Sequence, residues 1–479
     1  MAIDNVDRPG AFKLGGVNLI SYKSFDGDGT PKRLDIRNLI VEFNIYEDLT
    51  SPFLSGDMTL LDATNAIQQL PITGFERLEF FFRSPGSEKG FDFSIKSGHP
   101  MFVYALENRQ GANPRSQMYT LKFISMEAIR DNIERVTQAF SGNIDVMIGQ
   151  ICYNYLKTKK NVLLEDTAGS YKFVMPRIKP TSAIKNLRKN ARSLHFENSG
   201  FLFFETAIGF NFKSYEGLFC RKNGSPRPAK AFYSPKAKNL SPPGTSGKEI
   251  YDLQSVEDFK VLSQFNSLLA AANGVYASKL ITHDLYNKLF EEHNFDYNLE
   301  YMKQNHLEQD SKGNKRVDNG ILPVFPISAD ERLGSKPGAT FYQSTTAKVH
   351  NSYEQPEVEE ILQKRISQHL AVNSLVIEIT VPGSTELNAG DIVHFAMPKY
   401  AEADKTYDQK DQDKYLTGRY LISAARHQVS SINKRHTLVL ELVKDSFNVS
   451  YPEENIDLIT NNEDDTGRPY KTSDLDEFI

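Results

Sequence analysis

The residues best suited to bind a metal ion are two histidines near the end of the chain, His427 and His436. The alternating apolar pattern on both sides of a polar loop predicts that they lie on opposite strands of one hairpin. A protein metal site uses at least three such ligands, and the pattern places no third beside them. A structural or surface role is the favoured interpretation, and the chain is expected to use no metal or other cofactor.

Two acidic stretches supply the oxygen atoms that calcium prefers, Asp26–Gly29 and Asp404–Lys414. Their spacing differs from that of an EF-hand loop, and no glutamate stands where such a loop closes with a bidentate ligand. Both stretches are therefore expected to be solvated loops.

Signatures of catalysis are missing as well. The sequence contains no glycine-rich phosphate loop, no G-x-S-x-G turn and no H-E-x-x-H pair. Cleavage of a sugar chain needs two carboxyl groups facing each other across a cleft, and the spacing of the acidic residues singles out no pair. Cys152 and Cys220 are too few for a disulfide framework; buried free thiols are favoured, with one bridge between them as the alternative. No enzymatic activity is predicted.

The composition bounds the remaining classes of protein. A chain of 479 residues exceeds one hydrophobic core, so about two to four domains are expected. A net charge of −5 provides no excess of Lys and Arg with which to grip nucleic acid over a broad surface. The N-terminal segment has no apolar stretch typical of a secretory signal, and no run approaches the ~18 apolar residues of a membrane-spanning helix. We expect a soluble protein that is made in the cytoplasm and does not insert stably into a membrane.

A helix followed by an aromatic hairpin is predicted at the centre of the chain, within Pro176–Phe219. Apolar residues at helical spacing over Ile184–Leu194 predict a helix capped by Thr181 or Ser182. Two aromatic runs then predict strands joined by a turn, in which Gly209 adopts a positive φ. The predicted structural core of this middle region consists of Pro176, Ile184, Leu187, Phe201, Phe203, Phe204, Gly209, Phe210 and Phe212.

Strand-like segments flank this centre on both sides. About five short strands are predicted within the first 130 residues, after an irregular arm of some 30 residues. Residues 126–140 fit either a helix or an extended segment. Further expectations are a polar hairpin connection at 108–116, a solvated linker at 221–249, a helix at 259–271, a strand at 275–285 and an amphipathic helix at 358–370.

The two ends of the chain share a pattern. Residues 102–125 and 420–444 both read as strand, polar loop and strand, and another strand precedes each of them, at 77–82 and 391–397. Residues 39–49 and 276–286 match more weakly. We interpret the pattern as a divergent internal repeat of one barrel, with the central region inserted into it; chance similarity of short strands is the alternative.

The centre also resembles a known family. The segment VMPRIKPTSAIKNLRKNARS and the later GFLFFETAIGFNFKS are similar to baseplate hub proteins of contractile-tailed, T-even-like bacteriophages (myoviruses). The residues that match the family pattern are Pro176, Pro180, Ile184, Leu187, Gly200, Phe201, Phe203, Phe204, Glu205, Gly209, Phe210, Phe212 and Ser214. The likeness continues more loosely through VYASKLITHDLYNKLF, LNAGDIVHFAM and HTLVLELV, and it covers most of residues 30–450.

The resemblance implies a multidomain, mainly β chain with an α+β middle region. Two tail-tube-like β-barrels would flank a middle domain that contains the helix and hairpin. The implied domains are an arm with the first barrel at 1–130, a discontinuous middle domain at 131–225 and 298–370, a discontinuous second barrel at 226–297 and 371–450, and an acidic flexible tail at 451–479.

The resemblance further implies a structural role in the virion. Three chains would form a homotrimer whose six barrels make a pseudo-six-fold ring, joining the tail tube or a tube-initiating ring to a three-fold central spike. No short glycine-rich repeat follows Lys444, so the spike is expected to be a separate protein. Wedge or tape-measure proteins are further expected partners, and DNA would pass through the lumen only as transient cargo. The protein would be made in the host cytoplasm and reside in the tail baseplate.

Other readings remain open at this point. A virion-associated peptidoglycan hydrolase, the hub of a related contractile injection system and a carbohydrate-binding module of the tail are the alternatives. The end of the acidic tail is a candidate docking peptide for a partner and consists of Asp474, Leu475, Asp476, Glu477, Phe478 and Ile479.

Overall fold

The computed structural model describes residues 9–74, 76–84, 87, 90–196, 199–235, 255–284, 288–301, 303–308, 337–345, 358–397, 399 and 412–448. The tail from 451 onward, with its candidate docking peptide, and residues 404–411 of the second acidic stretch lie outside the described residues. Within the described part, no helix is long and apolar enough to cross a membrane.

The first part of the chain is a β unit. Its strands are β1 (Lys13–Leu14), β2 (Asn18–Phe25), β3 (Pro31–Asp35), β4 (Ile40–Asp48), β5 (Ser55–Asp62), β6 (Arg77–Arg83), β7 (Phe91–Phe93), β8 (Met101–Asn113) and β9 (Ser116–Ser125), with a short helix α1 (Ala66–Gln69). Apolar residues alternate along these strands, and one face of the sheet buries a continuous aromatic core that includes Phe43, Phe80, Phe82 and Phe123.

The middle region mixes helices with short strands. Its elements are α2 (Met126–Ile133), β10 (Val136–Gly142), α3 (Ile144–Asn154), β11 (Asn161–Leu164), β12 (Tyr171–Ile178), α4 (Pro180–Arg188), β13 (Phe201–Thr206), β14 (Gly209–Ser214) and α5 (Tyr215–Phe219). Strands β10 and β12 pair antiparallel, and β14 lies between β11 and β13 in a three-stranded sheet. Helices α3 and α4 pack on the aromatic hairpin and enclose a second core.

The last part forms a second β unit with an insertion. Its elements are β15 (Ala231–Pro235), β16 (Ser255–Val256), β17 (Asp258–Ser263), α6 (Ser267–Ala272), β18 (Ala277–Asp284), β19 (Leu289–Asp296), α7 (Tyr297–Tyr301), β20 (Ala339–Thr345), α8 (Val358–Val372), β21 (Leu375–Pro382), β22 (Ile392–Phe395), β23 (Gly418–Ser430) and β24 (Arg435–Lys444). Strands β18, β19 and β20 form a sheet of their own, which packs on α8.

The two β units repeat the same strand order. In the first unit the antiparallel order is β4-β5-β9-β8-β6, and in the second it is β17-β21-β24-β23-β22. Thus β4 corresponds to β17, β5 to β21, β6 to β22, β8 to β23 and β9 to β24. The insertion α6–α8 separates β17 from β21, where the first unit has only a short loop between β4 and β5.

The repeat extends to a shared irregularity. A β-bulge lies at Tyr104 in β8, and the corresponding strand β23 has a bulge at Ser423. Bulges are specific local features, so a matched bulge in a matched strand is strong evidence that the two units share one design. The chain is therefore mainly β with an α+β middle region, and the two β units share one strand order and one bulge position. Closure of either unit into a barrel by hydrogen bonds is not found among the described residues.

Several local predictions differ from the structure. Residues 259–271 are not one helix: β17 occupies the first half because β21 offers it a hydrogen-bonding edge, and only α6 is helical. The expected arm contains β2, whose ladder to β6 buries Leu19 and Ile20 despite the nearby glycines. Part of the expected linker at 221–249 forms β15, which pairs with β22.

Other boundaries shift by a few residues. The hairpin turn of β8 and β9 lies at 114–115, so most of the expected loop at 108–116 is strand. Residues 126–140 contain a helix and then a strand, α2 and the start of β10, which explains why both patterns fitted. Helix α4 ends at Arg188, and Leu194 is exposed beyond it. The division into the four domains named above stays a prediction.

Candidate functional site: the middle bracket and the junction of the two units

Most of the predicted core residues of the middle region lie together. Phe201 stacks on Phe212 with 4.7 Å between ring centroids. Phe203 stacks on Phe210 at 5.6 Å in the same way. These stacks join β13 to β14 and are buried in one cluster with Ile184 and Leu187 of α4. We call this cluster, formed by α3, α4, β13 and β14, the middle bracket.

Three predicted core positions behave differently from the rest. Phe204 is buried on the opposite face of β13, in a cluster with Leu218. Pro176, expected in the core, is instead exposed in β12. Gly209 has φ of +144°, and a Cβ there would collide with the backbone oxygen of Asn161 on β11, so both the turn and the close approach of β11 need glycine.

The start of α4 is held by a neighbouring helix rather than by its own residues. The carboxylate of Asp131, on α2, accepts hydrogen bonds from the Thr181 backbone N–H at 2.7 Å and from the Thr181 hydroxyl at 2.8 Å. Pro180 occupies the first turn, where its missing N–H costs nothing. The sequence pattern that predicted a cap at Thr181 or Ser182 could not show this long-range partner.

A buried ion pair network ties the middle bracket to the first unit. The Lys160 ammonium lies 2.7 Å from the Glu127 carboxylate and 2.5 Å from that of Glu205, and all three side chains are buried. Glu205 also accepts hydrogen bonds from the Leu54 backbone N–H at 2.9 Å and the Ser125 hydroxyl at 2.8 Å. These carboxylates are shielded from solvent, so they hold elements together and cannot reach a sugar chain.

Another buried carboxylate, Glu47 on β4, joins three regions of the chain. It accepts hydrogen bonds from the Ala207 N–H of the bracket hairpin at 2.7 Å and from the Ala389 N–H of the second unit at 2.8 Å. Burial raises the pKa of Glu47 to about 8, outweighing the two hydrogen bonds that favour the carboxylate. Sequence reasoning missed this residue because its partners are distant in the chain.

The two histidines do lie on facing strands, as the pattern predicted. The Nδ1 atom of His427 is 3.2 Å from Nε2 of His436, and both rings are buried between Phe82 and Phe91 of the first unit. Burial lowers the pKa of His436 to about 3 and that of His427 well below its ordinary value, so both rings are neutral. No group of three metal-ligating side chains occurs in the part of the chain that the structure describes.

The other sequence candidates are structurally ordinary. Asp26–Gly29 forms a turn in which Asp28 accepts hydrogen bonds from the Thr30 N–H and hydroxyl. Cys152 and Cys220 are buried thiols that form no disulfide with each other, and burial raises the pKa of each. The favoured interpretation of the cysteines is confirmed.

The two β units meet along a strand pair. Strand β23 of the second unit pairs antiparallel with β4 of the first, from Ala424 opposite Asp48 to Ser430 opposite Glu42. The eight strands therefore follow one another as β17-β21-β24-β23-β4-β5-β9-β8, which is the same four-strand series twice. We call this β23–β4 pairing the junction.

Side chains on one face of the junction cross between the strands. The Arg426 guanidinium donates to the Asn44 side-chain oxygen at 2.9 Å and lies over the Tyr46 ring. The Gln428 amide donates to the Glu42 carboxylate at 3.0 Å. The junction was not predicted, although the internal repeat was the signal that could have indicated it, because two similar sheet units in one chain can join edge to edge.

Comparisons with known proteins bear on the fold. No protein-family model and no curated protein sequence matches the chain. A solved tail protein from Neisseria meningitidis MC58 superposes with a TM-score of 0.51 at 10% identity, covering 91% of this chain and 97% of that one. The 43 kDa tail protein of prophage MuSo2 from Shewanella oneidensis gives a TM-score of 0.45 at 11% identity, over 91% of this chain and 98% of that one. At these identities the likeness concerns the fold alone, and the described chain shares the overall fold of the Neisseria tail protein.

Proposed function

We propose that this chain is a structural subunit of a phage tail baseplate, a hub at the centre of a contractile tail. Three copies form a homotrimeric, pseudo-six-fold ring that joins the six-fold tail tube, or a tube-initiating ring, to a three-fold central spike. The chain acts without catalysis or cofactor, and wedge or tape-measure proteins are further partners. Its place is the virion. The fold shared with a tail protein supports this assignment.

One observation carries the proposal. The two β units have the same strand order and the same bulge, and they are joined edge to edge in a head-to-tail series. A head-to-tail contact between equivalent units closes into a ring when its rotation permits. Two equivalent units in each chain let three chains present a six-fold surface to a tube and a three-fold surface to a spike.

The middle bracket has a supporting role in this proposal. The ion pair network at Lys160 fixes the bracket against the first unit, and Glu47 of the first unit accepts hydrogen bonds from both the bracket hairpin and the second unit. In this proposal these buried, directional contacts set the angle between the units. A fixed angle is what a closing ring requires. The four domains keep the boundaries given above, with the acidic end at 474–479 as the segment that docks a partner.

The oligomeric state of the full-length chain tests the proposal directly. Native mass spectrometry of the purified protein, alone and with the spike protein, should give a species of three times the 54.2 kDa chain. Electron microscopy of that species should show a ring with six similar lobes. A chain that stays monomeric at high concentration, even with the spike protein present, contradicts the proposal.

The passage of DNA requires that the lumen of the ring bind phosphates only weakly. A lumen that lets DNA slide must not bind phosphates strongly, and the net charge of −5 is consistent with weak binding. Electrophoretic mobility of duplex DNA should therefore be unchanged by the trimer at physiological salt. Tight, salt-dependent DNA binding would contradict this part of the proposal.

A further inference from the structure

Two strand edges at the ends of the eight-strand series carry no pairing partner among the described residues. Strand β17 pairs only with β21, which leaves its outer edge open. Strand β8 pairs with β6 only at Met101 and Phe102, so its outer edge is open from Ala105 to Asn113. Open edges of this length are templates for pairing with another chain, and folded proteins normally cover them.

The internal repeat identifies what fits each edge. Strand β17 corresponds to β4, and β8 corresponds to β23. Within the chain, β4 and β23 pair with each other at the junction. The open edge of β17 is therefore equivalent to one side of the junction, and the open edge of β8 is equivalent to the other side.

We propose that β17 of one subunit pairs antiparallel with β8 of the next subunit, so that the contact between chains repeats the junction within the chain. The partner is a second copy of this chain. The inference rests on the proposed ring and specifies its contact residue by residue. Three such contacts join three eight-strand series into a closed circle.

The register follows from the matched ladders. The shared bulge makes Lys122 on β9 equivalent to Glu441 on β24. Two residues earlier, Thr120 pairs with Thr59 and Val439 pairs with Thr380, so these partners on β5 and β21 are equivalent as well. Thr59 lies opposite Glu42, and Thr380 lies opposite Asp258. Counting from there, Phe259 corresponds to Phe43 and Lys260 corresponds to Asn44. The match EFNI with DFKV at 42–45 and 258–261 keeps the aromatic residue on the core face.

The facing strand is matched in the same way. The shared bulge makes Ala105 equivalent to Ala424 and Glu107 equivalent to Arg426. A second bulge in β8 then brings Gln110 into the position of Gln428, because Gln110 pairs with Met118 as Gln428 pairs with Thr437. Since Gln428 lies opposite Asn44, Gln110 should lie opposite Lys260 of the neighbouring subunit.

The side chains at the proposed contact are complementary. Within the chain, Arg426 donates to Asn44; at the equivalent contact between chains, Glu107 meets Lys260. Within the chain, Gln428 donates to Glu42; at the equivalent contact, Gln110 meets Asp258. One hydrogen bond is thus repeated in kind, and the other becomes an ion pair of opposite charges. In that pair the Lys260 ammonium joins the Lys122 ammonium of the neighbouring chain, which already lies 2.8 Å from the Glu107 carboxylate.

The exposure of the edge residues also fits a missing neighbour. Val261 is 37% exposed, whereas its equivalent Ile45 is 0% exposed under the cover of β23. Leu262 on β17 and Tyr104 on β8 are exposed as well, at 45% and 50%. A strand placed on each edge would cover these apolar groups.

A cysteine pair tests the register. In the full-length chain carrying Gln110→Cys and Lys260→Cys, the two positions lie directly opposite each other across an antiparallel contact, at a separation that a disulfide spans. Oxidation should link chains covalently up to the trimer on a non-reducing gel. The native Cys152 and Cys220 are buried and do not compete.

The matched control moves one cysteine to the other face of β17. With Gln110→Cys and Val261→Cys, whose side chain points to the opposite face, little linkage is expected. Equal linkage in both variants would overturn the register. Ladders that extend beyond three chains would show that the edges pair without closing a ring of three.

A charge exchange tests the contact without a covalent bond. Glu107→Lys and Lys260→Glu should each weaken trimer assembly about tenfold, since all three contacts are affected, and the double variant should restore it. Sedimentation velocity over a dilution series measures the change, and circular dichroism checks that each variant is folded. If the parent is a trimer but neither substitution weakens it and the cysteines do not link, the pairing is wrong while the proposed hub stands. A parent that never trimerises and never cross-links overturns both.

Discussion

The two β units share a strand order but differ in what covers their first strand. In the first unit, β4 lies between β5 and β23, and its core-facing Phe43 and Ile45 are fully buried. In the second unit, the equivalent β17 has a described neighbour on one side only; Phe259 is partly buried and Val261 is 37% exposed. The same local pattern therefore gives two degrees of burial. The burial of an edge strand thus depends on its neighbour and not on its own sequence.

The units also differ in how they fill their interiors. Gly56 on β5 faces Phe123 on β9, whereas the equivalent pair in the second unit is Ile377 and Leu442. In the first unit the aromatic ring covers the space above the glycine; in the second, two aliphatic side chains share it. The two units thus fill equivalent interior positions with different side chains, which explains why the repeat is weak in sequence.

The loss of one core-facing ring should affect the unfolding free energy far more on β4 than on β17. Phe43→Ala should destabilise the isolated chain by ~3–5 kcal/mol, because the ring is fully buried. Phe259→Ala, at the equivalent but only partly buried position, should cost clearly less in the monomer. Urea unfolding of both variants at concentrations that favour the monomer measures the two costs. Equal costs would show that the edge of β17 is already covered in a single chain.

The bracket between the units should be as sensitive as the first unit. Phe203→Ala removes a buried ring that stacks on Phe210, and we expect a loss of ~3–5 kcal/mol. The control is Val174→Ala on β12, where the side chain is 71% exposed and the change should be within ~0.5 kcal/mol. A soluble, trimeric Phe203→Ala protein of full stability would show that this cluster does not support the chain.

Side chains exchanged between the equivalent interior positions of the two units should change the unfolding free energy by a smaller amount. A Cβ at Gly56 would collide with the Phe123 ring and with the backbone oxygen of Asn44, so Gly56→Ala should cost ~1–3 kcal/mol. Adding Phe123→Leu, which introduces the residue type of the equivalent Leu442 in the second unit, should recover part of that loss. Thermal unfolding of the single and double variants measures the recovery. No recovery would mean that the backbone contact, and not the ring, sets the difference between the units.

Individual residues show which parts of the structure can be predicted from the sequence. The bracket hairpin was predicted nearly to the residue, because aromatic strands and a glycine turn are local signals and all residues of the two strands except Lys213 are buried. The repeat of the two units was detected from its hairpins, while the β4–β17 match was missed because the weaker alignment pointed to residues 276–286, which form β18 in the inserted sheet. The junction at Arg426 and the carboxylates Glu47 and Glu205 depend on partners that lie between 45 and 382 residues away along the chain. Spacing along one strand contains no information about them.

The smallest change in stability should come from the titration of Glu47, a carboxylate that has no counterpart in the second unit. Counting on from the matched Tyr46 and Ser263, the second unit has Gln264 where the first has Glu47. The folded chain raises the pKa of Glu47 from 4.5 to about 8, so between these values the folded state holds a proton that the unfolded state has released. Stability should therefore fall as pH rises through this window, by at most ~1.4 kcal/mol per pH unit from this group, and level off above it.

Glu47→Gln places the uncharged residue of the second unit in the first and should flatten that pH dependence. The amide can keep only one of the two acceptor contacts of the carboxylate, so the variant should be less stable at every pH. The parent and the variant are therefore compared by the slope of the unfolding free energy between pH 6 and 8. Chemical denaturation at several pH values measures both slopes. If the variant keeps the slope of the parent, the pH response arises elsewhere, and the buried carboxylate joining the bracket to both units is ionised throughout. The contacts from Ala207 and Ala389 would then outweigh the burial that raises its pKa.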